Sequence, residues 1–481
     1  MTDREWIQQS VEKNADMLTK VSDAIWEYAE LPFQETRSAA LLIQRLQESG
    51  FQVQSGLAGI PTCFTGTYTA GSGGPVVGFL GEYDALSGLS QAPGQPVKAP
   101  VTPGGNGHGC GHCALGAGTL GAAIALKDYL DATGKSGTVI YFGCPAEEGA
   151  GSKQFMARAG LFDGVDFVYT WHPSTANSVE AVHYNAIMGA NFRFYGLTSH
   201  AGATPYLGRS ALDAVELMNV GVQFLREHMS DKARVHYAIT DAGGRSPNVV
   251  QPRASVLYMV RSNHVAEAVE LQARVDKIAQ GAALMTETTV EKKFIDGLAD
   301  TVTNHALERV LYRNFEALGV PSYTPEELAF ADSLAGTYSG SDRAPGVGSQ
   351  YDLDYAADAQ ARRAQAGHAM NRFLLPLYQG DAFQPGSTDV GDVSWQCPTA
   401  QIHVAAWPNG CPGHSWQNVS CGRTDIGHKA ALHAGKVLAA AAIDLLTDPA
   451  LLEEAKTEFQ RRTAAGYTCP IPADAVPTIA D

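Results

Sequence analysis

GTVIYFGCPAEEGAG, residues 137–151, is a short run of β-branched and aromatic residues that breaks into a polar, glycine-rich turn. The apolar part is too short for a helix and suits a buried strand, and the turn behind it carries two adjacent carboxylates, Glu147 and Glu148. The same plan recurs along the chain. PVVGFL (75–80) runs into GEYDAL, DFVYT (166–170) into WHPS, and QIHVAA (401–406) into WPNGCPGHS. These runs alternate with helical stretches at 113–130 and 151–160, which predicts an α/β sheet with helices on both faces. In open sheets of this kind ligands bind beyond the carboxyl ends of the strands. The polar residues of all four turns fall there.

Outward from this core the rhythm changes. Residues 3 to about 50 read as two amphipathic helices that end at Gly50. Residues 188–298 alternate strand, helix, strand, strand, helix, strand: MGANFRFYG, SALDAVELMNVGVQFLREH, ARVHYAIT, RASVLYMVR, HVAEAVELQARVDKIAQGAALM and TTVEKKF. That βαββαβ order is ferredoxin-like. The expected organisation is a larger mixed-sheet α/β domain (1–187 and 299–481) interrupted by a lid or dimerisation domain at 188–298. At 481 residues the chain exceeds what one core supports. Residues 322–388, rich in Gly, Ala, Asp and Ser, are weakly periodic and read as an insertion or long loop system. A last helix is expected at about 424–447.

Composition excludes several classes. Hydrophobic residues make up 45% and charged residues 17%, a globular balance. The formal net charge is −16, which argues against nucleic acid and anionic membrane as partners. MTDREWIQQSVEKN has no apolar segment of a secretory signal, and KVLAAAAIDLL falls short of a bilayer span. A cytoplasmic protein is expected. Its 8 cysteines are scattered, so free or metal-bound thiols are expected rather than a disulfide scaffold.

The chemistry concentrates at GGNGHGCGHC, 104–113, which opens a helix of small residues. Cys110 and His112 flank one glycine, and thiolate with imidazole suits zinc and its first-row neighbours. His108 is a possible third donor. Cys110 and Cys113 also form a C-x-x-C at a helix start, the arrangement of a thiol oxidoreductase, and a buried cysteine beside a hydrogen-bonded histidine is the plainest alternative. Glu147 and Glu148 suit a division of labour in which one carboxylate holds a cation while the other moves a proton; two helix-start charges would also satisfy the sequence. His172 and His414 add imidazoles after two further strands. Cys110, His112, Glu148, His172 and His414 make five donors, more than one tetrahedral zinc takes and enough for a pair of metals.

With GEYDAL (81–86), GHGCGHC (107–113), PAEEGAG (145–151), TWHP (170–173), SHAGATPYLGRSALDA (199–214), GGRSPNVVQP (243–252) and GSTDVGDVSW (386–395), essentially the whole chain resembles the M20 metallopeptidase clan, in its aminoacylase-like branch. The resemblance implies metal-dependent hydrolysis of the amide bond of an N-acyl amino acid, with p-aminobenzoyl-glutamate as the first candidate. A dipeptide or an indole-acetyl amino acid is the alternative. It implies two divalent ions, manganese or zinc, on Cys110, His112, Glu148, His172 and His414. Glu147 becomes the general base for a metal-activated water. His200 is implied to reach across a dimer interface to the oxyanion, and Asn248 and Arg261 to hold the substrate carboxylate. It further implies either a homodimer through the lid or a hetero-oligomer with a homologous A-type subunit. Glu82 departs from the clan's H-x-D pattern, leaving Asp84 a supporting acid. Asp389 is implied to lie near the metals.

Overall fold

A computed structural model describes residues 2–345 and 353–477. The four apolar runs pair side by side and in parallel, in the order Gly137–Gly143, Val76–Gly81, Phe167–Ser174, Thr399–Ala405. Antiparallel strands extend this core: Phe64–Ala70 and Gln52–Ser55 on one side, Ser178–Glu180 on the other, making a mixed sheet of seven. FTGTYTA alternates polar with apolar residues, so a search for apolar runs passes over it. From Val76–Gly81 the chain crosses to Gly137–Gly143, whereas Phe167–Ser174 lies beside Thr399–Ala405 on the opposite flank. The carboxyl ends of the two central strands therefore open a crevice between diverging connections.

Helices cover both faces. His112–Thr133 and Asp425–Thr447 pack on one face and on each other. Their small residues set the approach: a Cβ on Gly118 would stand 2.8 Å from the Ala431 carbonyl oxygen, and one on Gly435 2.9 Å from that of Gly118. Asp425–Thr447 is long and apolar enough to cross a membrane, but its most apolar window is 67% buried in this packing, which marks it as a core helix. On the other face Lys153–Arg158 and Val390–Ser394 enclose Phe142, Phe155, Phe162 and Val393.

A second, fully antiparallel sheet runs Thr289–Leu298, Ala186–Tyr195, Arg253–Ser262, Arg234–Asp241. With helices Ala211–Leu225 and Val265–Thr286 it has the βαββαβ order and its own core, including Phe192, Val215, Val256 and Val275. Strand Arg253–Ser262 alternates buried residues with half-buried ones, and the half-buried set includes Met259 and Arg261.

Two expectations need correction. The N-terminal segment forms three helices, not two, because Asn14 interrupts Asp3–Lys13 before Ala15–Tyr28, and Thr36–Glu48 follows. The stretch 322–388 is not simply a loop system: it holds helices Pro325–Ala335 and Leu353–Gln365, while residues 346–352 lie outside the described part. Thr324 and Glu327 form a capping box at the first of these, a local start signal masked by a loop-like composition.

Asp392, in Val390–Ser394, joins the two sheets: its carboxyl accepts from Ala299 N (3.1 Å) and from the Tyr467 hydroxyl (2.6 Å). Burial pushes this carboxyl up to about 8. The unfolded chain releases that proton at roughly pH 4. Between the two values the native state holds the extra proton, so stability falls as pH rises. Asp392→Asn fixes the neutral form and is expected to flatten the slope by a few kcal/mol, read from urea unfolding at about pH 5 and about pH 8. An unchanged slope would refute the assignment.

Candidate metal centre

The turns at the ends of the parallel strands converge because each is held from behind. Gly111 adopts φ 77°, and a Cβ there would stand 3.0 Å from Pro173 and Trp407. Only glycine lets this loop lie so close, which sets Cys110 and His112 at the start of their helix. Asp84 then fixes two neighbours at once: one oxygen meets His112 Nδ1 at 2.8 Å and the other accepts from Glu148 N at 2.8 Å. Ala146 has a left-handed φ of 62°, and its N–H donates to buried Glu35 (2.9 Å). This bend aims Glu147 and Glu148 into the crevice. His172 Nδ1 donates to the Pro173 carbonyl (2.7 Å), which leaves its Nε2 lone pair facing Cys110 Sγ at 3.3 Å. His414, also left-handed (φ 51°), brings Nε2 to 3.2 Å from Glu148 Oε1. A non-glycine residue held this way is strained, and such strain clusters at functional sites.

Three overlapping donor groups result, each with ligand atoms within 4.8 Å of one another: Cys110, His112 and His172; Cys110, Glu148 and His414; Glu82, His112 and Glu147. Among the described residues, buried His112 Nε2 has no hydrogen-bond partner and faces two carboxylates, Glu82 Oε2 at 3.2 Å and Glu147 Oε2 at 3.9 Å. An imidazole nitrogen without a hydrogen bond, set among a thiol and carboxylates, fits a cation. The electrostatics divide the two glutamates. Burial, then the charge of Glu82, pushes the Glu147 carboxyl well above the usual range. Glu148 is desolvated too, but the His414 hydrogen bond and the charge of His112 hold it down at about 2. Burial raises the Cys110 thiol and, with the charge of His112, lowers His172.

Cys110, Glu147, Glu148, His172 and His414 line one cavity of about 510 Å³, and Arg261 lies in its wall. The Arg261 guanidinium donates to Ser387 Oγ (2.9 Å). His200 and Asn248 are exposed and are not among the walls of this cavity; His200 Nδ1 accepts from Gly202 N and Ala203 N. His108 is no donor here: its Nε2 meets the Ile25 carbonyl (2.9 Å). Cys113 is buried in the helix core, 3.8 Å from where a Cβ on Gly422 would stand, so the C-x-x-C does not face one site.

Three further residues border the donor set. Glu82 sits two positions before Asp84, hence on the same side of the chain's exit from its strand. Lys153, fully buried, bonds both Glu82 (2.7 Å) and Asp389, whose other oxygen accepts from Ser152 N and Lys153 N. His403 pairs in register with His172, their rings 6.2 Å apart. Strand alternation gives a signal for His403; nothing local marks Lys153.

The model of peptidase family M20/M25/M40 matches residues 78–411. The B-type chain of the p-aminobenzoyl-glutamate hydrolase of Escherichia coli K12 is 43% identical over 98% of both sequences. The A-type chain of that organism's enzyme is 28% identical over 60% of this chain and 77% of its own. Among solved structures, the aminobenzoyl-glutamate utilization protein of Klebsiella pneumoniae superposes with a TM-score of 0.60 at 19% identity, covering 90% of this chain and 98% of its own. From the donor cluster to the full-length likeness, the chain belongs to the M20/M25/M40 peptidase family of hydrolases.

Proposed function

We propose that the protein hydrolyses the amide bond of an N-acyl amino acid, p-aminobenzoyl-glutamate first, to p-aminobenzoate and glutamate. The observation that carries this reading is the overlap of Cys110, His112, Glu148, His172, His414 and Glu147 in three donor groups that share Cys110 and His112. Cys110, His112, Glu148, His172 and His414 would hold two divalent ions, manganese or zinc. Bound there, the ions would supply Lewis acidity toward the scissile carbonyl and the attacking water. Glu147, its carboxyl raised by burial above the usual range, takes the water's proton and returns it to the leaving amine. Arg261 binds the carboxylate of the amino acid, and closure of the 188–298 unit as a lid excludes water. His200 and Asn248 complete the site from a second copy or from a homologous partner chain.

Oligomerisation is supported by the surface. Edge strand Arg234–Asp241 exposes Tyr237 and Ile239, and helix Ala211–Leu225 exposes Val220 and Phe224. Unpaired strand edges with apolar flanks invite a partner strand. The E. coli relative is named as one of two homologous chains of its enzyme, which favours an A-type homologue for the partner. Eight free cysteines, one of them in the donor set, fit the reducing cytoplasm.

The test is hydrolysis of p-aminobenzoyl-glutamate and indole-acetyl-aspartate by purified chain, with and without manganese or zinc, alone and with an A-type homologue. Release of the free amino acid only after metal loading is expected. Turnover in chelator, or turnover of neither substrate in any combination, would refute the reading.

A further inference from the structure

The metal cavity is not the end of the space. A side cavity of about 180 Å³ shares Ser174 and His403 with it as walls. Because His403 stands in register with His172, this side cavity begins one strand away from a metal-ligand candidate. Its far walls are aromatic and aliphatic. The Tyr355 and Tyr378 rings meet edge-on, 5.7 Å apart, and Leu375 and Val179 line it beside the polar Ser178 and Gln384. One carboxylate belongs to it, Glu180, which accepts from the Tyr184 hydroxyl (3.0 Å) and lies 3.2 Å from His403 Nε2. Among the described residues, no lysine or arginine lines this cavity. Burial pushes the Glu180 carboxyl up to about 7, against the hydrogen bonds of the Tyr184 hydroxyl and the Val182 backbone, which lower it.

The two ends of an N-acyl amino acid would thus meet opposite chemistries. Arg261 offers a cation in the main cavity, and the side cavity offers an anion between aromatic walls. A substrate carboxylate facing Glu180 would meet like-charge repulsion in a desolvated place. The acyl end avoids that penalty. Resting on the N-acyl amino acid reading, we propose that the side cavity is the acyl subsite, shaped for an aromatic ring that carries a hydrogen-bond donor at its far end, and that Glu180 is the acceptor that selects this donor. The ring packs on Tyr355, Tyr378 and Leu375, and an aromatic amine donates to the Glu180 carboxylate. An acyl group lacking the donor leaves that carboxylate under-satisfied, which is how a buried acceptor discriminates between near-identical substrates.

The test compares p-aminobenzoyl-glutamate with benzoyl-glutamate, which differ only in the amine. Because an amino group donates electrons into the carbonyl, intrinsic reactivity favours benzoyl-glutamate, so a preference the other way belongs to the site. Metal-loaded wild type is expected to show about tenfold higher kcat/KM for the amine, carried mainly in KM. Glu180→Met removes the acceptor and is expected to abolish the preference, with Glu180→Gln intermediate. A purely structural Glu180 would lower both rates together and keep their ratio. Absence of a preference in wild type overturns the subsite without any variant, and so does an unchanged ratio in Glu180→Met. Turnover of neither substrate by metal-loaded wild type, alone or with an A-type homologue, overturns the function itself.

Discussion

Glu147→Gln is expected to lower kcat by about 10²–10⁴-fold while leaving the metal content of the protein unchanged. Gln keeps the shape and hydrogen-bonding length of Glu, so the turn built on Ala146 and Glu35 has no reason to move. What it loses is the ability to take and return a proton. The position is prepared for that work: burial and the nearby Glu82 favour the protonated form, while Glu148, one residue on, is held ionised by His414 and His112. Two adjacent carboxylates with opposed environments mark an acid–base group beside a ligand. The check is steady-state kinetics together with metal stoichiometry. Retention of kcat within about tenfold, with metal still bound, would remove Glu147 from the mechanism.

Lys153→Met is expected to cost about 3–5 kcal/mol of stability. Lys153 is fully buried with Glu82 and Asp389, both almost completely enclosed, as its partners. Met keeps most of the side chain's length but leaves two carboxylates facing each other without a cation. Breaking a buried pair from one side is far costlier than never building it, because the uncompensated charge stays behind. The measurement is the denaturant midpoint of the metal-free protein, where ligand binding cannot mask the change. Asp389→Asn in the Lys153→Met background should recover part of the loss by removing one of the stranded charges. A midpoint shift worth under about 1 kcal/mol would show the triad to be better solvated than its burial implies.

The parallel core and the donors at its ends are legible because both follow from local rules. An apolar run ending in glycine and a polar turn is a strand, and function collects at strand ends in such sheets. Cys110, His112, Glu148, His172 and His414 stand out this way, and the family resemblance then groups them. What escapes depends on distance in space. Lys153 follows Gly151 and Ser152 and looks like a surface lysine; only the fold, which drops it between Glu82 and a residue 236 positions later, buries it. The strand Phe64–Ala70 is hidden because it alternates threonine with apolar residues and never forms an apolar run. His108 and Cys113 mislead for the converse reason. They share the glycine-rich loop with the candidate donors, but His108 turns to the Ile25 carbonyl and Cys113 into the helix core.

Asp84 grips the histidine after one strand with one oxygen and the backbone of the turn after the neighbouring strand with the other. A carboxylate used in this way acts as a mechanical tie. When the sheet twists or breathes, His112 and Glu148 are carried along by the same rigid group, and their separation stays nearly constant while the surroundings drift. His112 and the turn that carries Glu148 can then move together, whatever slow deformations the scaffold undergoes. Movements needed to admit a substrate and release its pieces are left to the elements outside that tie.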